Sequence, residues 1–589
     1  MNPWLWVLIG FGFYWIILIG LNNRGLLPGY VGVQGPLITV HTKRGRAFLD
    51  RLSTPRRFWR AWSNVGVGIA IVVMVLSFLF VVTAAISSLL SPMETAVTEP
   101  QNVLVIPGVN EFLPLSVAPE IVLGLLVALV VHEGAHGLLC RVENIDIKSM
   151  GLVLIALVPL GAFVEPDPDS QETVDRGGRT RMFAAGVTAN FIVTIIAFAL
   201  LLGPVAGSIA VAPGASIGGV FPGSAAAEAD IQQGDRITEF EGMPIESNAD
   251  LESALAEHDE RSVTVMVNGE REVTVERSLL VVEAIPDGPA GIELGAPVVA
   301  VNGSTVYTAA EFTDALTERS VVEIELANGS TRTFPAGVFV PAIEDGGPMD
   351  RAGVPDDAEV IITHLDGNRM LSASDLTDHL RDTNPGDRLV VQAYVDGDPH
   401  EFTITLDEHP DGHGFMGITT VPGTTGISVS DFGTETYPAG MYLTILGGEA
   451  DDTGGLAFES YIQQTFLLLL LPIAGVLEAG IPFNFAGFTG FVVNFYEVTG
   501  PLGVLGGGVF ALANVLFWTG WINLNLAFFN CIPAFPLDGG HILRMSTEAI
   551  LSRLPGEIPT GATKIVTVSV GVTMLVSLLL MIFGQGLLV

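Results

Sequence analysis

The sequence predicts a multi-pass α-helical membrane protein with an extracellular α/β region inserted between two groups of helices. Mean hydropathy over the 589 residues is +0.52 and only 15% of them are charged, which is typical of an integral membrane protein. Apolar runs of about 20 residues lie towards both ends of the chain, whereas the long central stretch is polar. The formal net charge of -37 must therefore sit mainly in parts that are exposed to water.

The charged residues are almost all acidic or arginine, because lysine occurs only as Lys43, Lys148 and Lys564. An excess of Asp and Glu with few Lys is typical of a surface adapted to high salt, where self-repulsion is screened. The composition favours a halophile, specifically a haloarchaeal source, over an acidic external domain in an ordinary organism. The two cysteines, Cys140 and Cys531, provide no disulfide framework, and we expect them to be buried thiols.

Seven apolar runs are long enough to cross a bilayer as helices. They are 4–21, 66–90, 119–140, 182–203, 461–481, 504–528 and 565–587. Arginines cluster between the first two runs and again at 176–181, and the positive-inside rule places both clusters in the cytoplasm. The same rule places 205–460 outside the cell. The helix that begins near 504 must then run from outside to inside, so an even number of crossings must precede it. A re-entrant segment or a second short pass at 482–500 would satisfy this.

The third apolar run ends in the motif H-E-x-x-H, from His132 through Glu133 to His136. Residues i and i+4 share one face of a helix, so both imidazoles can reach a single metal ion. Zinc suits two histidines and a carboxylate, with the fourth position left for water. Glu133 stands where the general base for that water would stand. Polar groups inside a membrane are costly, so they indicate a functional site.

Residues 151–164 are apolar but too short for a comfortable span, and Pro159 and Gly161 interrupt them. We expect a pair of strands or a re-entrant hairpin lying against the helices, because irregular backbone is tolerated at membrane depth only where protein or water covers it.

The central region contains an internal repeat in which a glycine turn precedes an apolar residue by nine positions. The three copies pair Gly242 with Leu251, Gly303 with Phe312, and Gly367 with Leu376. Upstream turns and helix starts near 222–235 and 345–357 strengthen the first and third copies. This pattern resembles PDZ domains, which capture extended peptides or free chain ends by strand addition. The alternative is a set of spacer folds with degenerate grooves.

The run near 504–528 leads into N-C-I-P-A-F-P-L-D-G-G-H, residues 530–541, in which two prolines break the helix. Asp538 follows the apolar run at the same predicted membrane depth as His132 and His136. It is the natural third metal ligand, and His541 is the competing candidate.

H-E-x-x-H in one membrane helix, N-x-x-P-x-x-P-L-D-G in a later one and PDZ-like modules between them resemble the site-2 protease family, which are zinc intramembrane metalloproteases (peptidase M50-like). The resemblance implies that His132, His136 and Asp538 bind Zn²⁺ and that Glu133 is the catalytic base. Residues 185–191, A-G-V-T-A-N-F, are similar to a family segment that has proline in place of Val187. Residues 159–163 look like the end of the family's membrane-associated β-hairpin.

The resemblance implies regulated intramembrane proteolysis, in which the enzyme hydrolyses peptide bonds within transmembrane segments of its substrates. Asn190 or Asn530 would bind the substrate backbone or the oxyanion, although interhelical hydrogen bonding is an equal alternative. Expected partners are single-span membrane proteins, peptide termini at the PDZ-like modules and the lipid bilayer, with no nucleic acid. The alternatives are an inactive membrane-anchored PDZ scaffold with a structural metal site, and, less favoured, a transporter.

The predicted organisation is linear along the chain. Residues 1–118 hold two membrane helices and a basic cytoplasmic loop, 119–204 the first half of the protease core, 205–460 the extracellular repeats (215–277, 280–336 and 338–408), and 461–589 the second half of the core and a last membrane helix. The active site is predicted to lie towards the cytoplasmic side of the cell membrane.

Overall fold

The computed structural model describes residues 3–90, 106–110, 113–155, 158–355, 358–449, 461–477, 482–555 and 561–583. The chain forms two compact units. One contains Met1–Ala210, Gly440–Val493 and Glu497–Val589, and the other contains Val211–Ala439 with Asn494–Tyr496. We call them the helical unit and the α/β unit.

Among its described residues, the first part of the helical unit contains six α-helices and four strands. The helices are α1 (Pro3–Asn23), α2 (Lys43–Leu52), α3 (Arg56–Leu90), α4 (Ala118–Val142), α5 (Pro168–Thr173) and α6 (Arg176–Leu200), and the strands are β1 (Val31–Gln34), β2 (Leu37–His41), β3 (Ile147–Ile155) and β4 (Val158–Pro166). Helix α6 is central, because it packs against α3 and α4 and also against later helices.

The predicted hairpin at 151–164 is part of a larger antiparallel sheet with the order β1-β2-β3-β4. Strand β2 pairs with β3 from Leu37 opposite Ile155 to His41 opposite Gly151, and β3 pairs with β4. The residues that connect β3 to β4, 156–157, lie outside the described residues. Among the described residues β4 pairs with β3 alone, so its other edge has no strand partner there and packs towards α4.

The α/β unit follows, together with the short strand β5 (Ile209–Val211) that leads into it. In chain order its elements are β6 (Ala215–Val220), α7 (Ala225–Glu228), β7 (Arg236–Phe240), β8 (Met243–Pro244), α8 (Asn248–Glu257), β9 (Ser262–Val267), β10 (Arg271–Glu276), β11 (Leu279–Ala284), β12 (Pro297–Val301), β13 (Ser304–Thr305), α9 (Ala309–Thr317), β14 (Val321–Leu326), β15 (Thr331–Pro335), β16 (Val338–Val340), β17 (Ala342–Ile343), α10 (Pro348–Arg351), β18 (Val360–Leu365), β19 (Asn368–Arg369), α11 (Ala373–Arg381), β20 (Arg388–Val395), β21 (Asp398–Thr405), β22 (Asp407–Glu408), β23 (Gly414–Phe415), β24 (Ile418–Thr419), β25 (Ile427–Ser430) and β26 (Thr434–Thr436).

Three separate hydrophobic cores divide this unit into modules, centred on Phe240, Phe312 and Ile362. Each repeat glycine of the sequence stands in a turn with a positive φ, and each following helix begins with a capping box. The side chain of the serine or threonine cap accepts the backbone N–H of the acidic residue three positions later. The carboxylate of that residue accepts the backbone N–H of the cap. The repeat pattern therefore marks one turn and one capped helix in each module.

The three modules are nested rather than simply consecutive. The return segment, which we define as residues 418–436, adds a strand to each module in reverse order. Strand β24 pairs with β17 in the third module, β25 with β11 in the second, and β26 with β6 in the first. Residues 409–437 lie beyond all three predicted repeats, yet they complete each of them.

A buried ion pair joins the first two modules to the return segment. The Arg277 guanidinium is 2.6 Å from Asp431 Oδ2, and the two side chains are 1% and 5% exposed. The guanidinium also donates to the carbonyl of Leu255 at the end of α8, while Asp431 Oδ2 accepts the backbone N–H of Ala309 at the start of α9. One carboxylate thus links elements of two modules.

The chain then returns to the helical unit with α12 (Ala439–Ile445), α13 (Tyr461–Leu470), β27 (Tyr496–Val498), α14 (Gly508–Asn530), α15 (Asp538–Leu551) and α16 (Ala562–Phe583). Among the described residues, five helical segments are long and apolar enough to cross a membrane, judged by length and composition. They are Arg56–Leu89, Leu115–Val142, Arg176–Ser208, Gly508–Asn530 and Ala562–Phe583, with shorter apolar helices at Ile9–Asn23 and Ile462–Ile473.

The expected span at 461–481 is shorter in the structure. Helix α13 ends at Leu470 and a 3-10 turn follows, because Pro472 lacks the N–H that would continue the helix. Residues 478–481 lie outside the described part. The segment from 482 onward is irregular, and α14 binds its backbone: Asn514 exchanges hydrogen bonds with the Phe488 backbone, and Trp518 donates to the Ala486 carbonyl.

Glu143, at the carboxyl end of α4, joins three helix ends. It accepts hydrogen bonds from Arg60 of α3 at 3.0 and 3.1 Å and from Arg181 of α6 at 2.8 Å. Burial raises the pKa of Glu143, but the hydrogen bonds and positive charges of Arg181 and Arg60 outweigh it and lower the pKa below its ordinary value of 4.5. The carboxylate is therefore held ionised.

Candidate metal centre

His132 and His136 lie one turn apart on α4, and their side chains converge as the spacing predicts. The two Nε2 atoms are 3.1 Å apart, and both rings are largely buried. Neighbouring small residues of α6 face them, so the two imidazoles are enclosed by protein rather than by open space.

Asp538 is brought to the histidine pair by a tight loop between α14 and α15. A side chain at either Gly539 or Gly540 would overlap backbone atoms of 531–535, so the loop folds back only because both residues are glycines. Asp538 Oδ2 then lies 3.1 Å from His132 Nε2 and 3.2 Å from His136 Nε2. The structure therefore unites the three predicted ligands.

These three atoms fit the ligand shell of a metal ion such as zinc. Ligand atoms at about 2.0–2.1 Å from a tetrahedral ion lie about 3.3 Å from one another, close to the distances found here. Asp538 Oδ2 is buried and faces the two imidazole Nε2 atoms. A buried anion facing two imidazole lone pairs needs a cation between them. The donor set of two nitrogens and one carboxylate leaves a position for water or substrate.

The outer ring atoms of the two histidines have partners that fix their orientation. His136 Nδ1 donates to the Met182 carbonyl at 2.8 Å, which leaves the Nε2 lone pair for a metal. His132 Nδ1 lies 3.4 Å from the amide of Asn190, which is fully buried and whose oxygen has no partner among the described residues. A half-turn of that amide would let its oxygen accept from His132 Nδ1.

Gly186 lies against both candidate histidine ligands, and no local sequence pattern pointed to it. A Cβ at Gly186 would lie 2.6 Å from His136 Nε2 and 2.7 Å from His132 Cε1. Any side chain there would displace the imidazoles, so the backbone of α6 can approach them only at glycine. Gly186 belongs to the segment A-G-V-T-A-N-F, whose resemblance to the family segment is the signal that could have identified it.

Glu133 points towards the β-sheet, and its Oε2 accepts the backbone N–H of Val164 at 2.9 Å. Val164 is on β4, and this N–H is directed away from β3, towards the free edge of the strand. The expected base thus lies between the metal ligands and the one strand edge that faces α4.

The remaining candidates are placed differently. The Asn530 amide donates to the Leu526 carbonyl one turn earlier in its own helix, at 3.0 Å. His541 is stacked on Phe183, with ring centroids 4.2 Å apart and planes within 2°, and Phe535 meets it edge-on. His541 is therefore not a member of the ligand cluster, and Asp538 takes the third place.

Among the described residues a second group of ligand-type side chains, His409, Asp411 and His413, occurs in the α/β unit. Its two imidazoles are stacked in parallel with centroids 4.2 Å apart, so their in-plane lone pairs do not converge. The group is half-exposed, and it lacks the closed geometry of the first cluster.

Comparison with known proteins gives three findings. The family model described as peptidase family M50 matches residues 120–578. An uncharacterized protein of Methanocaldococcus jannaschii is 31% identical over 189 residues, which cover 32% of this chain and 48% of the relative. The chain thus spans about half the length of that curated relative. Two solved structures are similar to part of this chain: the PDZ domains of SdrC-like proteins from Listeria monocytogenes and Listeria innocua. Each match has 24% sequence identity and covers 14% of this chain. The matches cover 87% and 92% of the two solved chains, with TM-scores of 0.14 and 0.13.

Proposed function

Because this chain belongs to peptidase family M50, the family of the site-2 proteases, we propose that it is a zinc-dependent intramembrane endopeptidase. It hydrolyses peptide bonds within the transmembrane segments of other membrane proteins. One observation carries the proposal: two histidines and an aspartate converge within 3.2 Å at the end of an apolar helix that also bears Glu133.

In this mechanism His132, His136 and Asp538 hold the metal. When bound, zinc supplies a Lewis acid that activates water and polarises the scissile carbonyl. Glu133 accepts the proton of the attacking water and passes it to the leaving nitrogen. Asn190 keeps His132 oriented from behind. A role for Asn190 or Asn530 with the substrate backbone or the oxyanion stays a prediction.

A helical substrate hides its carbonyls in i to i−4 hydrogen bonds, so the segment must unwind before it is cleaved. Strand β4 offers an edge for the unwound segment, because it pairs with β3 alone. The Val164 N–H that now meets Glu133 would then bind a substrate carbonyl. This arrangement would bring the peptide beside Glu133.

The PDZ-like modules would lie outside the cell and restrict access to substrates whose external part has already been trimmed. Their partners would be peptide termini, and the enzyme's substrates would be single-span membrane proteins. The metal centre would lie towards the cytoplasmic side, where Arg60, Arg176 and Arg181 favour the inner face. The acidic composition supports a salt-adapted, haloarchaeal source.

The test is cleavage of a single-span substrate by the purified full chain in lipid, with and without a zinc chelator. We expect cleavage that stops when zinc is removed and returns when zinc is added. Glu133→Gln is expected to lower the cleavage rate by about 100-fold or more at unchanged zinc content, because the base is lost while the ligands stay. Stoichiometric zinc without any cleavage would instead favour the scaffold, and full activity in Glu133→Gln would exclude the proposed base.

A further inference from the structure

The helical unit contains a cavity of about 570 Å³, and Glu133 is one of the residues that line it. Glu133 is its only ionisable lining residue, and the other lining side chains are almost all apolar. Phe48, Leu52 and Trp62 line it and are still more than a third exposed. The volume lies in the range of sites that bind small molecules or side chains. An apolar cavity that contains a general base is suited to hold part of a substrate.

Seven of the 24 residues that line the cavity precede the family match at 120–578, and they include three of its four aromatic side chains. Helix α2 supplies Phe48, Leu49 and Leu52, and the first turns of α3 supply Trp59 and Trp62. The opposite walls come from α4, α6 and the sheet. The aromatic wall of the cavity therefore comes mainly from α2 and α3, outside the family match.

Strand β4 forms another wall, through Ala162, Phe163 and Val164. A peptide that pairs with the free edge of β4 would place alternate side chains on opposite sides of the new strand. One of those sides faces the cavity, while the backbone passes Glu133. A side chain that fills the cavity would hold the neighbouring carbonyl in register with the base.

We propose that this cavity is the specificity pocket of the protease and accepts a large apolar side chain, such as Phe or Leu, from the substrate residue next to the scissile bond. The inference rests on the proposed function and adds to it the feature of the substrate that is selected. Selectivity arises from packing, because a large side chain meets the aromatic wall and a small one leaves a void.

Gly134 allows a sharp test. It lines the cavity from α4, and a Cβ added there meets no atom within 4 Å. The Cβ of a leucine at this position would stand in open space and the rest of the side chain would extend into the cavity, and leucine favours a helix more than glycine does. Gly68 on α3 is the matched control, because a Cβ there also meets no atom within 4 Å and Gly68 does not line the cavity.

The cleavage site of a single-span substrate is first mapped by mass spectrometry, and the residues on either side of it are changed in turn to Phe and to Ala. We expect the wild-type enzyme to prefer Phe at one of these positions. Gly134→Leu is expected to reduce kcat/KM for the Phe substrate by about tenfold or more relative to the Ala substrate. Zinc content stays at the wild-type value, and Gly68→Leu keeps the wild-type preference.

A binding measurement separates failure of this inference from failure of the proposed function. A substrate that has a photoreactive phenylalanine at the preferred position is mixed with the Glu133→Gln enzyme. We expect it to crosslink to Trp59, Trp62 or Phe48. The crosslink should be lost in the double variant that has both Glu133→Gln and Gly134→Leu. An unchanged Phe preference in Gly134→Leu, or a cavity that crosslinks to lipid chains instead of substrate, would overturn the inference. Absence of cleavage by the wild-type chain would overturn the proposed function. The photoreactive residue would then be moved stepwise along the membrane span of the substrate, so that the crosslink still reports on the cavity.

Discussion

At the scale of single residues, the candidate metal centre depends on a glycine, Gly186, as much as on the three proposed ligands. The histidines and Asp538 were predictable because H-E-x-x-H has helical spacing and a carboxylate follows the later apolar run. Gly186 was not, because its importance lies in a contact between α6 and α4 that no local pattern encodes. Only the folded loop shows that Asp538, and not His541, lies within 3.2 Å of both imidazole Nε2 atoms.

Gly186→Ala is expected to abolish tight zinc binding. The added methyl would lie within 2.8 Å of atoms of both imidazoles and would push them out of position. We expect the zinc affinity to fall by about 100-fold or more, which is the upper range for changes next to a ligand. Competition with a chelator of known affinity measures it. Gly68→Ala, where a Cβ has open space, is the control and should bind zinc normally.

At the scale of elements, helix ends and sheet edges position the site. The hairpin at 151–164 was predictable from its length and its interruptions. Strands β1 and β2 were not, because they are short and their partner β3 is distant in the chain. Glu143 was also overlooked, although it joins α3, α4 and α6 close to the ligand-bearing helices.

Glu143→Gln tests that junction through its pH dependence. Because the folded-state pKa is lowered below 4.5, the carboxylate contributes stability that is fully present above pH 4.5 and is lost as the pH falls through the lowered value. We expect the variant to be less stable by about 2 kcal/mol near neutral pH. Thermal unfolding in detergent measures the difference, which should shrink on acidification. A difference that does not change with pH would contradict this account.

At the scale of the whole molecule, the predicted fold class is confirmed: helices of membrane-spanning length flank an α/β region. Its placement outside the cell stays a prediction. The three repeats were recognisable because each turn and helix cap is local. The nested order of the modules was not recognisable from the sequence. The strands of the return segment have only two to four residues, and their partners are distant in the chain, as in the pair of Val220 and Thr434. Periodicity in so short a strand carries little information.

Asp431→Asn tests the link between the first two modules. It leaves the Arg277 guanidinium buried without a negative partner, which typically costs about 3–5 kcal/mol. Asp407→Asn is the matched control, because the Arg351–Asp407 pair is 48% exposed on both sides and should contribute less than about 1 kcal/mol. Limited proteolysis of the full chain under increasing denaturant should show early cleavage of the α/β unit in the first variant only.

The return segment also determines the order in which the three modules are completed during synthesis. The third module receives β24 first, the second then receives β25, and the first waits for β26 although its other strands emerge earliest. Until then β6 and β11 expose unpaired edges, which are sites of misassembly. Ribosome-bound chains in which residues up to 426 have emerged from the exit tunnel should therefore contain a protease-resistant third module and two modules that are still open to chaperones.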